Sequence, residues 1–281
     1  MEALTIYNYP KNDPHFYLLK MWLHQVNFYN DSNCRVLVLS ENHEPLEVKD
    51  LHKVYSFEWK KLAPKKTINY PILKRIVHKL TGNKTAYRKM NSRLKVINHH
   101  NVRFKLYHLT KWPRPFIFLD VDAIIFGPIS SLVQASSIKP FIAVNHQEIP
   151  KHTIGKGPYL NGGVQIVSQP GYFTFEDFTR QTDNLLCIGH EQALIYTHFK
   201  NVRYDYTHPE IDYKWNACSG YNKLKKVDDK WVCVSNGTNI LDDNLKSNSI
   251  PKGTSIMVNH YWDEFKPWKI DCPMYNEFKG F

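Results

Sequence analysis

No apolar run in this 281-residue chain approaches the roughly 20 residues that a membrane-spanning helix needs, so a transmembrane reading is set aside at the outset. Paired cysteines are missing too. The five, Cys34, Cys187, Cys218, Cys233 and Cys272, are scattered and form no CxxC, which argues against a zinc ribbon and a disulfide framework and leaves buried free thiols. There is no internal repeat and no low-complexity linker. Met1 to Pro10 lacks a charged start followed by an apolar stretch, so the expectation is a cytoplasmic protein, mature as written. The N-x-S/T sequons at Asn30, Asn83 and Asn236 are then read as chance. Acidic residues are in deficit, 26 against 37 Lys and Arg, for a formal charge of +11. That excess suits nucleic acid, an anionic membrane surface or a phosphate-bearing ligand without choosing among them. What is present is apolar material: 42% of residues are hydrophobic, enough for a sizeable core in one large α/β domain or two small ones.

Leu4 to Asn8 reads as a strand closed by Tyr9-Pro10, and His15 to Tyr29 carries Phe16, Leu19, Trp22, Leu23 and Val26 at helical spacing. Arg35 to Leu39 is a short apolar run typical of a buried parallel strand. Strand, helix and strand at this spacing open a nucleotide-binding α/β sheet. Lys60 to Lys95 turns basic, and a helix from about Asn98 to Trp112 is stopped by Pro113. Phe116 to Leu119 is the next buried strand, and further apolar runs fall at Phe141 to Val144, Val164 to Val167 and Ser255 to Val258. Regular alternation in the first half and an irregular, aromatic second half predict one domain with a loop-rich face.

Asp120 and Asp122 follow four apolar residues and precede Ala-Ile-Ile-Phe, so both sit where a buried strand emerges, the end at which open α/β sheets bind ligands. Two carboxylates one residue apart offer hard oxygens to Mg²⁺ or Mn²⁺, a metal that usually also holds substrate phosphates. They equally suit a turn in which both acids cap backbone amides. A phosphatase with the first Asp as nucleophile also places DxD after a strand, but Ala-Ile follows here instead of Gly-Thr and no later G-D-x-x-x-D occurs. In Asn161-Gly162-Gly163 the glycines let backbone approach a ligand closely and Asn161 offers an amide to a sugar hydroxyl; an ordinary turn is the alternative. His260 follows a short apolar strand as a plausible third ligand, and Lys266 suits a phosphate, with Pro267 fixing the chain after it.

Asp120-x-Asp122, Asn161-Gly-Gly163, Glu191-Gln192, Trp215-Asn216 and His260-x₅-Lys266-Pro-Trp268 occur in the order seen in glycosyltransferase family 8, which the chain resembles from the first strand to Trp268. The resemblance implies the α/β GT-A fold, a Rossmann-like mixed sheet flanked by helices. About residues 1–125 would form the nucleotide-binding half, and about 126–281 the donor-sugar and acceptor half. It further implies transfer of a sugar, with retention, from a UDP-sugar, with Mn²⁺ (or Mg²⁺) bridging DxD to the diphosphate. By resemblance Asp120, Asp122 and His260 are metal ligands, and Lys266 contacts the diphosphate. Lys105 is the basic residue that reaches the donor, and Asn161, Gly162 and Gly163 line the donor sugar. Gln192 lies beneath the anomeric carbon with Glu191 beside it, and Tyr7 and Asn8 hold the nucleoside. Glu191 stands where the family usually has Asp, and Asp263 where it has Gly.

The basic segment from Leu73 to Lys95 has no counterpart role, and reads either as solvated surface or as a patch for anionic membrane or a phosphorylated acceptor. A glycan or lipid-linked acceptor, with peripheral contact on the cytoplasmic membrane face, follows from the second option. No recognisable nucleic-acid-binding fold accompanies the charge. The rivals to a glycosyltransferase are the DxD phosphatase and a non-catalytic anion-binding protein of the same fold.

Overall fold

Strand β1 (Glu2–Ile6) and strand β2 (Arg35–Ser40) lie parallel, and helix α1 (His15–Phe28) crosses between them. A computed structural model describes residues 1–9, 14–63, 82, 100–145, 148–149, 160–180, 190–218, 222–236, 246–247, 250–261, 265–270 and 272–279. The apolar spacing of α1 puts Leu18, Leu19, Trp22, Leu23 and Val26 against the sheet, and the Tyr29 amide closes its end on the Gln25 carbonyl. Helix α2 (Leu46–Lys49) runs into a 3₁₀ turn and then β3 (Glu58–Lys61), parallel to β2. Helix α3 (His100–Thr110) leads to β4 (Phe116–Leu119), which lies parallel to β1 on its other side. The segment Leu73 to Lys95 lies outside the described residues.

The order of the main sheet is β3-β2-β1-β4-β8-β6, with β6 at Phe141–Asn145 and β8 at Leu160–Val167. Strand β8 runs antiparallel to both β4 and β6, so the sheet is mixed, as expected. The chain steps from β1 to β2 on one side and later to β4 on the other. That makes the gap beyond the ends of β1 and β4 a topological switch point, where open sheets hold ligands. All eight residues of β8 are buried, with strands on both edges and packing on both faces. One face carries Ala3, Val36, Val38, Ile117 and Leu119 under α1. The other carries Leu4, Leu37, Leu39, Phe116 and Phe118, and packs against Phe104, Phe178, Leu194 and Phe199. Phe104 belongs to α3, Phe178 to α5 (Phe175–Arg180), and the last two to α6 (His190–Asn201).

Three short strands form a second sheet beside the first: β5 (Ala123–Ile125), β9 (Ala217–Cys218) and β13 (Val258–His260), in the order β5-β13-β9. Helix α4 (Ile129–Ala135) follows β5, and β7 (Glu148–Ile149) pairs with β12 (Lys246–Ser247). Strands β10 (Asn222–Val227) and β11 (Lys230–Asn236) make a hairpin. Its two-residue turn, Asp228-Asp229, holds both φ angles positive (45° and 61°), the geometry that matches strand twist. Helix α7 (Pro273–Lys279) packs back on α1. Several boundaries differ from expectation: β1 ends at Ile6 and not Asn8, and β8 begins at Leu160 and not Val164. The first strand begins at Glu2, where its backbone pairs with Arg35 and Phe116, and its buried carboxylate is held by Trp112, Arg35 and Arg114. The last strand begins at Val258, where pairing with β5 starts.

Candidate active site

The chain turns sharply after β4. The Asp120 amide donates to the Gly163 carbonyl at 2.9 Å, and the Ala123 amide donates back to the Asp120 carbonyl at 2.8 Å. Asp120 and Asp122 therefore occupy one tight turn between the two sheets. Strand β13 pairs antiparallel with β5, placing His260 opposite Ala123, and the Tyr261 amide extends the ladder to the Asp122 carbonyl at 2.8 Å. Backbone pairing alone thus carries the imidazole to the carboxylates across nearly 140 residues of sequence. His260 Nε2 lies 3.3 Å from Asp122 Oδ1 and 4.0 Å from Asp120 Oδ2. One ligand atom from each of the three lies within 4.8 Å of the others. Two carboxylate oxygens and an imidazole nitrogen at this separation fit a divalent cation such as Mn²⁺.

Two lysines complete the cluster. The buried Lys105 ammonium, from α3, donates to Asp120 Oδ1 at 2.9 Å and to the Gly162 carbonyl at 3.0 Å, and lies over the Phe118 ring. The Lys266 ammonium donates to Asp122 Oδ2. Burial by itself would raise the Asp122 carboxyl, but the Lys266 ammonium and His260 outweigh it and hold the group well below the usual carboxylate range. A carboxylate held in this way suits a cation ligand.

These residues face a cleft of about 240 Å³ lined by Ile6, Asn8, Tyr9, Lys105, Asp120, Val121, Asp122, Gln192 and His260. Of the residues expected from the sequence, Asn8, Lys105, Asp120, Asp122, Gln192 and His260 line it, and Lys266 reaches it only through its bond to Asp122. Tyr7, assigned to the nucleoside, is buried against Tyr9 and Trp59 in the core, and Ile6, Asn8 and Tyr9 line the cleft instead. Tyr7 is out of phase with Ile6 and Asn8, and Tyr9 reaches the same cleft because the chain is no longer a regular strand after Ile6. The Asn8 side chain accepts from Ser40 Oγ at 3.0 Å and the Glu41 amide at 2.8 Å, tying β1 to the end of β2.

Asn161, Gly162 and Gly163, expected to line the donor sugar with an ordinary turn as the alternative, are interior residues of β8, so the turn is ruled out. Asn161 Oδ1 accepts from the Gly163 amide at 2.7 Å, and the residue is buried behind the cleft. The glycines serve close packing of another kind. A Cβ on Gly163 would fall 2.6 Å from His260 Nδ1 and 2.7 Å from its Cε1, so the bare backbone seats the imidazole. Gln192 reaches the cleft from α6, where Glu191 precedes it. Trp215 and Asn216 are buried just before β9. Ile6, Tyr9 and Val121 were not singled out from sequence; the period-2 alternation through Ile6 and Asn8 is the signal that points to Ile6. Asp263 lies outside the described residues.

No protein-family model matches the sequence, and no curated protein does. Solved structures do. The whole chain (100%) aligns with 95% of an active-site variant of LgtC in which a glutamine is changed to glutamate, at 14% identity and a TM-score of 0.56. Galactosyltransferase LgtC in complex with donor and acceptor sugar analogues aligns over 100% of this chain and 94% of its own, at 11% identity and a TM-score of 0.54. The apo-form glycosyltransferase GlyE of Streptococcus pneumoniae TIGR4 aligns over 99% of this chain, at 12% identity and a TM-score of 0.54. The chain spans 59% of that GlyE chain. The architecture is that of these GT-A glycosyltransferases, the fold expected from the sequence.

Proposed function

We propose that the protein is a metal-dependent glycosyltransferase that moves a sugar from a UDP-hexose to a glycan or lipid-linked acceptor with retention of configuration. The observation that carries this reading is the convergence of Asp120, Asp122 and His260 at the switch-point cleft of a GT-A sheet. What a divalent cation supplies there is stabilisation of the charge that develops on a departing diphosphate. The chain's own residues do the rest. Asp120, Asp122 and His260 hold the cation, and Lys266 sits beside it, able to face the same phosphates. Ile6, Asn8 and Tyr9 form the wall against which the nucleoside lies. Gln192 projects into the cleft where the donor's anomeric carbon is to be held, leaving the acceptor hydroxyl to attack from the face the diphosphate vacates. The phosphatase reading is disfavoured by the Ala-Ile that follows the acid pair and by the lack of a later G-D-x-x-x-D in the sequence. Among the described residues no helix is long and apolar enough to cross a membrane. Peripheral contact with anionic lipid on a cytoplasmic face rests on the basic segment Leu73 to Lys95 alone.

Thermal-shift measurement over a nucleotide-sugar panel, with and without Mn²⁺, tests the reading. A UDP-sugar should raise the melting temperature only when Mn²⁺ is present, and Asp122→Ala should remove the effect while the unliganded protein still melts cooperatively. Release of UDP from the stabilising donor, followed with time, separates an enzyme from a binding protein of the same fold. Equal stabilisation in EDTA, or an unaffected Asp122→Ala protein, would sink the assignment.

A further inference from the structure

A second cavity, of about 560 Å³ against about 240 Å³ for the cleft, lies at the far end of α1. Its walls come from three elements distant in sequence: the end of α1, the β10–β11 hairpin and helix α7. Helix α1 separates the two sites. His15 at its start stacks on Tyr9, part of the cleft wall, with ring centroids 3.5 Å apart, whereas Phe28 at its end lines the cavity. Fourteen helical residues, at about 1.5 Å each, hold the two sites roughly 20 Å apart. A small ligand in the cleft does not reach the cavity.

The cavity has the size of a ligand site, for which roughly 300–1,000 Å³ is usual. Phe28, Tyr29, Trp231 and Phe278 give it aromatic walls. Trp231 is half-buried and its ring rests on the core residue Phe126, centroids 5.5 Å apart, which makes it a fixed platform. Phe28 is 73% exposed and edge-on to Tyr29 at 4.8 Å, an apolar ring left in water at the rim. Polar groups are interspersed with these rings: Gln25 from α1, Lys226 and Asp229 from the hairpin, and Glu277 from α7. A sugar ring is apolar on its C–H faces and polar around its edge. Aromatic faces beside carboxylates and an amide match both halves of that chemistry.

Charge narrows the ligand further. The chain carries +11 overall, yet among the described residues two acids and one lysine line this cavity, and the lysine is paired with Asp229 at 3.1 Å. That balance disfavours a phosphate or a nucleotide. A small organic cation would want rings closed around a point charge; here they are spread over an open cavity that also carries an ammonium. Asp229 stands at φ 61° in the hairpin turn, where glycine fits without strain. The turn therefore keeps a carboxylate at the cavity where its backbone favours glycine.

We propose that this cavity is a second carbohydrate site, which takes a neutral oligosaccharide and holds it apart from the cleft. Trp231 and Phe28 stack on sugar faces, while Gln25, Asp229 and Glu277 hydrogen-bond hydroxyls. The ligand class follows from the cavity itself and does not rest on the metal site.

An array of neutral, sialylated and phosphorylated oligosaccharides, probed with the full chain in EDTA and without nucleotide, tests this. Neutral glycans should be retained, and the strongest of them should then be titrated by calorimetry. Phe28→Ala should weaken its binding roughly three- to tenfold, the range carried by one aromatic contact. Asp229→Gly should weaken it while the melting temperature stays level or rises, because glycine suits the turn. Trp231→Ala should abolish it; should that variant not melt cooperatively, the exposed positions Phe28 and Asp229 still decide the question. Asp122→Ala should bind the glycan as the native protein does. Several results would overturn the proposal: no neutral glycan retained, phosphorylated glycans preferred, or affinity unchanged in both Phe28→Ala and Asp229→Gly. Choline binding that is lost in these two variants would give the cavity to an organic cation instead. Glycan binding lost in Asp122→Ala would place the glycan in the cleft and remove the second site. Stabilisation by a UDP-sugar with Mn²⁺ is measured separately, so none of these failures touches the glycosyltransferase reading.

Discussion

Gly163 and His260 are in direct contact: any side chain on the glycine would occupy the space of the imidazole, with a Cβ 2.6 Å from Nδ1. The same residue's carbonyl accepts the Asp120 amide at 2.9 Å. One glycine of β8 therefore positions two of the three candidate metal ligands, one through its backbone and one through its lack of a side chain. This ties the geometry of the cleft to the antiparallel insertion of β8 beside β4.

Gly163→Ala should accordingly injure the site more than the fold. Overpacking in a full interior typically costs about 1–3 kcal/mol, visible as a lower denaturation midpoint. Mn²⁺ affinity in the presence of UDP should fall further than that loss explains, because the imidazole is pushed off its position. Titration of Mn²⁺ at a temperature where the variant is fully folded checks this. Native affinity in a destabilised variant would mean that His260 is not a ligand.

Asp122 gives a pH dependence with a definite sign. Its folded carboxyl lies below the ordinary value of 3.8, mainly because Lys266 and His260 outweigh the opposing effect of burial. The unfolded chain therefore takes up a proton first as pH falls. The ion pair's contribution is complete above about pH 4 and is lost as pH drops below it. Asp122→Asn should cost roughly 1–3 kcal/mol at pH 7, and the difference from the native protein should narrow below pH 4. Urea denaturation at pH 7, 5 and 3 measures it. A difference that is constant across this range would remove Asp122 as the source.

Far from the cleft, at the opposite end of β1, Glu2 is buried yet charged. Its carboxylate accepts from Trp112 Nε1 at 2.7 Å and faces Arg35 at 3.0 Å and Arg114 at 3.3 Å. The two arginines are 42% and 64% exposed, so their share is small. Glu2→Gln should cost about 1 kcal/mol, whereas Glu2→Ala strands a buried indole N–H and should cost roughly 2–3 kcal/mol. Chemical denaturation measures both, and kcat should be unaffected because the residue sits at the amino end of the sheet.

The sheet was legible where short apolar runs alternate with helical spacing, as at Arg35 to Leu39 and Phe116 to Leu119, since such runs leave few other ways to be buried. Asp120, Asp122 and His260 were legible as residues out of place at the edges of those runs. Their meeting was not, because it depends on the pairing of β5 with β13, and sequence spacing says nothing of that register. Tyr7 and Tyr9 illustrate the same limit. Both are aromatic and adjacent to Asn8, and strand alternation would put them on one face; only the irregular path of the chain after β1 ends at Ile6 decides which one meets the cleft. The Asn161-Gly-Gly run read as close approach to a ligand or as an ordinary turn; in β8 the lack of a side chain at Gly163 makes room for His260. Lys105 came from family resemblance alone, as its role appears only when α3 is packed against β4 and β8.

Gln192 separates contact with the sugar from contact with the diphosphate. It enters the cleft from α6, beside Asp120, Asp122 and His260 but not hydrogen-bonded to them among the described contacts. A neutral amide there can hold a sugar without adding charge to the cluster of Asp120, Asp122, His260 and the two lysines. Gln192→Ala should therefore lower kcat by about 10²-fold, the order expected for losing one polar contact made in the transition state, while Mn²⁺-dependent UDP affinity stays close to native. Gln192→Glu adds a carboxylate to the same cleft. It should attract Mn²⁺ alone more strongly but repel the diphosphate, so UDP affinity and kcat should fall together. Steady-state kinetics with the donor found by thermal shift, together with UDP titration in Mn²⁺, distinguishes these outcomes. Equal loss of UDP affinity in both variants would place Gln192 at the diphosphate rather than at the sugar, and unchanged kcat in both would reduce it to part of the wall.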